Sequence, residues 1–206
     1  ANSGSIQIIS GGEIIVACGT RSKECSSFTC DGERIFVAES LLQLREVPRT
    51  SLVIGAGTTG LLTAILLARF GIEVTVVDEH VNLLKICTAL EGSFEDIQSL
   101  PIAFRLGDEA IGSQFGTNRQ VEVRLSSGRI LSAETMFVCV GRVGNTDTLN
   151  LEAVGVGLDE RGRIWCDSQG QTWSQGIRAI GTVAGQCAGF TRNPSRRQHR
   201  LVTNNP

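Results

Sequence analysis

The chain has 206 residues, a formal net charge of −2, 41% hydrophobic and 19% charged residues. That length is enough to bury a core, with room for one domain and part of a second. The near-neutral charge excludes a whole-chain field that would gather nucleic acid or an acidic membrane surface, and no apolar run approaches the roughly 20 residues that span a bilayer. With 24 glycines and no tyrosine, the composition suits an α/β protein rich in tight turns. The seven cysteines stand singly, without the spacing of a disulfide framework or a metal site, which points to a reducing, cytoplasmic setting.

In chain order, Ile6–Ile9 and Glu13–Cys18 are β-rich runs across Gly11-Gly12 and read as a hairpin. Residues 21–32 are polar and read as a loop, in which Cys25 and Cys30 are taken as unlinked thiols. Ile35–Val37 suits a short strand, and Ala38–Leu44 has helix-forming content that Pro48 would stop. Ser51–Ile54 is an apolar strand that runs into Gly55-Ala56-Gly57-Thr58-Thr59-Gly60. Leu61–Phe70 is helical, closed by Gly71, and Ile72–Val77 is a β-branched strand ending at Asp78. These segments make one βαβ unit of about 30 residues. Val81–Leu100 is weakly helical, and Ala103–Leu106 suits a strand. Val121–Leu125 and Arg129–Leu131 alternate around Ser126-Ser127-Gly128 as a hairpin. Thr135–Val140, Gly162–Trp165 and Ile177–Ile180 complete the strands. Residues 191–206 are polar and carry Arg192, Arg196, Arg197 and Arg200; they read as a disordered, solvated tail rather than a nucleic-acid contact.

A GxGxxG alone is weak evidence, but here a strand precedes it, a helix follows, and an acid closes the next strand. Gly55 permits the tight turn, Gly57 lets a pyrophosphate approach the backbone, and Gly60 lets the helix pack close. The amides of Ala56, Thr58 and Thr59 at the helix start favour negative charge, and the two threonines add hydroxyls. Asp78 stands 18 residues after Gly60, near the offset of an acid that binds a ribose 2′-hydroxyl. Glu79 follows it, and the two carboxylates would repel a 2′-phosphate, so NAD(H) is favoured over NADP(H). The alternative is a glycine-rich turn that binds nothing. His80 could sit near a ribose, but reads rather as a solvent-facing loop residue. No catalytic residue and no metal ligand is assigned.

Gly55–Gly60, Gly141-Arg142-Val143-Gly144-Asn145-Thr146 and Ile177–Gly181 together resemble the pyridine nucleotide-disulfide oxidoreductases, whose members carry FAD and NAD(P). Within that superfamily, Gly141–Asp147 through Leu151-Glu152 is most similar to the soluble pyridine nucleotide transhydrogenases, which lack a redox disulfide and pass hydride between NADPH and NAD through the flavin. The resemblance implies an α/β, Rossmann-like NAD(P)-binding domain with a parallel sheet, plus partial FAD-domain segments. It maps residues 1–45 to a partial FAD-domain segment and linker, 46–150 to the NAD(P)-binding domain and 151–190 to the returning FAD-domain segment. It also implies that Gly141 lies by the nicotinamide end.

The departures from the family are informative. Cys18 stands where the ATG-like segment Ala17-Cys18-Gly19 would have threonine, no proline follows Arg21, and Leu62 replaces a glutamate. Gly181-Thr182 replaces the Gly-Asp pair that contacts the flavin, and the family's first FAD-binding glycine turn is not in the sequence. The expectation is a chain that binds a dinucleotide, holds FAD poorly, and by itself is inactive as an oxidoreductase. A surface left by a missing domain would favour self-association.

Overall fold

The protein is described by a computed structural model covering residues 9–81, 97, 99–116 and 120–186. In chain order the strands are β1 (Ile14–Val16), β2 (Thr20–Ser22), β3 (Ile35–Val37), β4 (Thr50–Ile54), β5 (Glu73–Asp78), β6 (Ile102–Leu106), β7 (Ala110–Phe115), β8 (Val121–Leu125), β9 (Ile130–Ala133), β10 (Thr135–Val138), β11 (Arg142–Gly144), β12 (Ile164–Cys166), β13 (Ile177–Ala179) and β14 (Ala184–Gln186). The helix α1 spans Thr58–Arg69, and Ala38–Gln43 forms a 3-10 turn where the sequence suggested helix. The chain divides into two units, one of residues 22–141 and one of residues 1–21 with 142–206.

The 22–141 unit is built on a five-stranded sheet in the order β3-β10-β4-β5-β6, with every neighbouring pair parallel. A parallel sheet is covered on both faces, so its central strands are apolar throughout rather than alternating. β10 is buried at all four positions, and β4 from Ser51 onward. Side chains still alternate between faces. Phe36, Val53, Val74, Val76 and Phe137 turn to one side and pack with Ala64, Leu67 and Ala68 of α1. Ile35, Leu52, Ile54, Val77, Met136 and Val138 turn to the other and meet Val121, Val123, Leu125 and Ala133. That second layer is the antiparallel sheet β7-β8-β9, which contains the expected hairpin around Ser126–Gly128 and adds Ala110–Phe115 as a third strand. Phe36 and Phe137 stack with centroids 5.3 Å apart.

α1 ends for local reasons. Gly71 takes φ +81, its amide donates to Ala68 O at 2.9 Å, and the amide of Ile72 donates to Leu67 O at 3.3 Å. This pair of bonds satisfies carbonyls the last turn leaves open, and Ile72 and Leu67 supply the apolar contact that accompanies it. The Val81–Leu100 stretch lies almost wholly outside the described residues, as does the 191–206 tail. Among the described residues no helix is long and apolar enough to cross a membrane.

In the other unit, β1 pairs parallel with β13, β12 parallel with β14, and β2 lies beside β11. The hairpin expected at the N-terminus falls partly outside the described residues, and its second run takes Ile177–Ala179 as its parallel partner. The core gathers Leu151, Val156, Ile164, Cys166, Ile177, Ala179 and Val183. Asp159 ties the loop before β12: its Oδ1 accepts from the amides of Arg161 and Arg163 at 2.9 and 2.8 Å, and its Oδ2 pairs with the Arg163 guanidinium at 2.7 and 2.8 Å. Burial pushes this carboxyl up, but the Arg163 and Arg161 amides and the Arg163 guanidinium outweigh it and hold it below its ordinary 3.8. A depressed folded value means stabilisation that is present above the ordinary value and lost as pH falls through the folded one. Urea midpoints measured across acid pH should therefore fall below about pH 4, and Asp159→Asn should lower the neutral-pH midpoint and flatten that part of the acid limb. An acid limb unchanged in the variant would assign the effect to other carboxylates.

Candidate nucleotide site

The C-terminal ends of β4, β5 and β10 lie side by side, with β5 and β6 to one side of β4 in the sheet and β10 and β3 to the other. Ligands of open parallel sheets bind at such a crevice. The structure brings there the residues singled out in the sequence: Gly55–Gly60 after β4, Asp78 and Glu79 at the end of β5, and Gly141 just after β10.

The turn off β4 is built by its two outer glycines. Gly55 takes φ +101, and a Cβ there would lie 2.5 Å from the Cys139 carbonyl oxygen. Its amide donates to Val77 O at 2.7 Å, which ties the turn to β5. Gly60, in the first turn of α1, presses against the same loop: a Cβ on it would sit 1.8 Å from Gly55 O. Close packing at the third glycine is therefore against the turn itself, with Cys139 Cβ beyond it at 3.4 Å. Gly57 differs. It precedes α1 with φ −66 and ψ 176, and a Cβ there would meet nothing within 4 Å. Neither backbone nor packing demands glycine at 57, so the loop is left open at that position.

The amides at the start of α1 have no partner within the helix and carry its positive end. Thr58 is exposed and Thr59 half-buried. Thr63 folds its hydroxyl back onto Thr59 O at 2.9 Å and is buried beside Cys139. The first turn of α1 contains no acidic side chain, and Leu62, where the family resemblance expects glutamate, is 47% exposed.

Among the described residues, Asp78 is the charged group that hydrogen-bonds the turn. Its Oδ2 accepts from the Ala56 amide at 2.6 Å, and its Oδ1 accepts from the His80 amide at 2.8 Å and lies 3.0 Å from His80 Nδ1. The Asp78 side chain is 15% exposed, against 63% for Glu79 and 77% for His80. A carboxylate offers about four acceptor positions, so after these three contacts Asp78 retains capacity to accept from a diol. Glu79 stands further out, with Oε1 3.9 Å from His80 Nδ1. His80 is exposed, as the sequence suggested, but its bond to Asp78 was not foreseen. The short Asp-Glu-His spacing was the available signal, since an aspartate commonly accepts from the amide two residues on.

Gly141 sits at the rim, its carbonyl accepting from the Lys23 amide at 3.0 Å. The Gly141–Thr146 motif that follows does different work from the glycine turn. Arg142 donates to the Thr20 hydroxyl and carbonyl, Asn145 Nδ2 donates to Cys18 O at 3.0 Å, and Thr146 donates to Gly162 O at 2.8 Å. Its polar side chains hold the Cys18–Thr20 segment and the loop before β12. The Thr20 and Thr182 hydroxyls are 3.3 Å apart, so a neutral pair stands at the Gly181-Thr182 position.

Comparison with known proteins places the chain in a family. The family model described as pyridine nucleotide-disulphide oxidoreductase matches residues 2–204. A soluble pyridine nucleotide transhydrogenase of Mycobacterium bovis (strain BCG / Pasteur 1173P2) is 35% identical over 179 residues, 86% of this chain and 38% of the relative. A dihydrolipoyl dehydrogenase of Chlorobaculum tepidum is 34% identical, covering 88% of this chain and 40% of that protein. Among solved structures, LpdA from Mycobacterium tuberculosis superposes with a TM-score of 0.70 at 26% identity, over 84% of this chain and 38% of that one. The flavoprotein disulfide reductase RclA from Escherichia coli shares the fold, with a TM-score of 0.67 at 24% identity, over 85% of this chain and 40% of that one. The chain thus spans about two fifths of the length of these relatives. It belongs to the pyridine nucleotide-disulphide oxidoreductase family, with the α/β, Rossmann-like fold of that family's flavoproteins.

Proposed function

We propose that the 22–141 unit binds a pyridine nucleotide, NAD(H) in preference to NADP(H), and is the nucleotide-holding part of an FAD-dependent oxidoreductase of the transhydrogenase type. The observation that carries this reading is the coupling of Asp78 to the Ala56 amide beside an unobstructed Gly57. One end of the site then offers helix amides to a pyrophosphate, and the other offers a fixed carboxylate to a ribose diol. Those are the two recognition elements of a dinucleotide, held in one crevice. Asp78 and Glu79 side by side place negative charge where a 2′-phosphate would stand, which is the basis for the NAD(H) preference.

For hydride transfer the flavin would supply the redox chemistry, and the protein supplies position and electrostatics. The residues of this chain that bear on flavin binding fit less well, because Thr182 gives a neutral hydroxyl, shared with Thr20, where the resemblance expects an acid. No step is routed through the flavin here, and the reading of the isolated chain is a nucleotide-binding module without turnover.

Titration of the purified chain with NADH, followed by nucleotide fluorescence, should give a saturable isotherm with a dissociation constant of roughly 1 μM to 1 mM, the usual range of nucleotide KM values. Incubation with excess FAD and removal of the free flavin should leave the protein colourless. Absence of saturable NADH binding would overturn the nucleotide assignment. A stoichiometric retained flavin band would overturn the module reading and make NADPH-to-NAD hydride exchange the next assay.

A further inference from the structure

We propose that the outer face of the antiparallel sheet β7-β8-β9 docks a second copy of this chain, with the two sheets face to face about a two-fold axis. The inference goes beyond nucleotide binding and does not depend on it. It starts from the two-residue period of the strands. Val121, Val123 and Leu125 of β8 and Ala133 of β9 point inward, into the core against the parallel sheet. That leaves Glu122 and Arg124 of β8 and Ile130 and Ser132 of β9 on the other face. The cross-strand register sets these residues out in two rows. One row reads Gly112, Arg124, Ile130 across β7, β8 and β9, and the next reads Gln114, Glu122, Ser132.

The two rows are opposites at each position: glycine beside glutamine, arginine beside glutamate, isoleucine beside serine. A two-fold axis lying between two such faces, across the strands at the level of Val123, exchanges the rows. Arg124 of each copy then meets Glu122 of the other, Ile130 meets the smaller Ser132, and Gln114 stands over Gly112. A two-fold interface has to be self-complementary in this way, and both charge and bulk satisfy it here. The complementarity of one row for the other is what commits the face to a second copy, since a different partner would need neither match.

The local structure supports each exchange. A Cβ at Gly112 would meet nothing within 4 Å, and its φ lies outside the left-handed region, so neither packing nor backbone within the chain requires glycine there. Its missing side chain leaves a depression of about 200 Å³ edged by Ile111, Gln114, Arg124 and Ile130. Ile111 and Ile130 are 48% and 60% exposed, on a sheet face that in water is ordinarily polar. Glu122 is held in place by Gln114 Nε2 at 2.9 Å. Arg124 is exposed and, among the described residues, has no hydrogen-bond or ion-pair partner of its side chain.

The face is small. Three strands about 4.8 Å apart, at about 3.4 Å per residue, give it roughly 15 by 17 Å. That is well below the about 800 Å² per partner of a stable complex, so the association is weak, with a dissociation constant on the order of 0.1–1 mM.

Sedimentation equilibrium of the full chain, from about 10 μM to about 1 mM and in about 0.05 M and about 0.5 M salt, reads this association directly. The mass should climb toward twice that of the monomer at the top of the range in low salt, and climb less in high salt. Arg124→Glu sets glutamates opposite one another, Glu122→Arg sets arginines opposite one another, and each alone should weaken association at least about tenfold. An equimolar mixture of the two variants restores both ion pairs in a heterodimer and should associate at least as well as the native chain. Gly112→Leu fills the depression and should weaken association without shifting the melting curve.

A chain that stays monomeric up to about 1 mM in low salt overturns the proposal. Association that Arg124→Glu and Gly112→Leu leave unchanged overturns it too, because the contact would then lie on another surface. A mixture as dissociated as its two folded components does the same. Melting curves check that each variant is folded. Should Glu122→Arg fail to fold through loss of the Gln114 bond, Arg124→Glu and Gly112→Leu still decide the question.

Discussion

Gly60→Ala is expected to abolish NADH binding and to destabilise the 22–141 unit by about 3 kcal/mol or more, a drop of about 10 °C in melting temperature. The added methyl would lie 1.8 Å from Gly55 O. That oxygen is backbone, in a turn pinned by the Gly55 amide bond to Val77 O at 2.7 Å and by the Ala56 bond to Asp78 at 2.6 Å. A flexible side chain could swing away, but this carbonyl can move only if the turn moves with it. The helix must then lift from the sheet, opening a gap between its own buried Ala64, Leu67 and Ala68 and the Val53, Val74 and Val76 side chains they pack on. Scanning calorimetry together with an NADH titration reads both effects. A variant that melts with the native protein would show that helix and turn are not packed as described.

Gly57→Val should separate binding from stability. The residue has φ −66 and ψ 176, which valine adopts freely, and its Cβ would meet nothing within 4 Å. The melting temperature should therefore fall only slightly, since a strain-free change at a half-buried helix N-cap costs about 1 kcal/mol. NADH affinity should nevertheless fall about a hundredfold, the equivalent of about 3 kcal/mol. The branched side chain occupies the approach to the helix amides and denies the pyrophosphate its charge-assisted hydrogen bonds. The pattern of the pair is the informative result: at Gly60 stability and binding fall together, and at Gly57 binding falls with little loss of stability. Native affinity in Gly57→Val would place the pyrophosphate elsewhere and remove the main support for the proposed site.

The βαβ unit was legible because its signals are local. A run of apolar residues, three glycines at fixed offsets, a helix ended by Gly71 and an acid closing the next strand all lie within one stretch of chain. Each is tied to a backbone need that a single sequence displays, and the structure has β4, α1 and β5 there. The hairpin around Ser126–Gly128 was readable for the same reason: alternation and turn chemistry are short-range. Ala110–Phe115 carried no such mark. Its residues show no strand alternation and were left unassigned, and it becomes a strand because β8 offers a partner, with a register shift between Ala110 and Gly112.

The Gly141–Thr146 motif shows how family signal and chemical role can part. As a pattern it pointed to the right family, and as residues its arginine, asparagine and threonine join distant backbone segments. Nothing in their spacing could distinguish that use from ligand contact, because the groups they bond to are carbonyls and a hydroxyl more than a hundred residues away or across a loop.

By itself, then, the sequence determined the class of fold, the glycine turn after β4, the identity of the acid at the end of β5 and the family. These follow from periodicity, glycine placement and charge, all of which act over one or two turns of chain. Tertiary structure alone decided that β10 lies between β3 and β4, that Ile14–Val16 pairs with Ile177–Ala179, that Gly60 is held by Gly55 O, and that Asp78 is gripped by Ala56 on one side and His80 on the other. Parallel strands join through backbone groups that every residue carries, often across large separations; Thr135 and Ser51, hydrogen-bonded side by side, are 84 positions apart. Short strands of this kind have no sequence code for their partner, and only burial of the completed sheet between α1 and the β7-β8-β9 layer selects it.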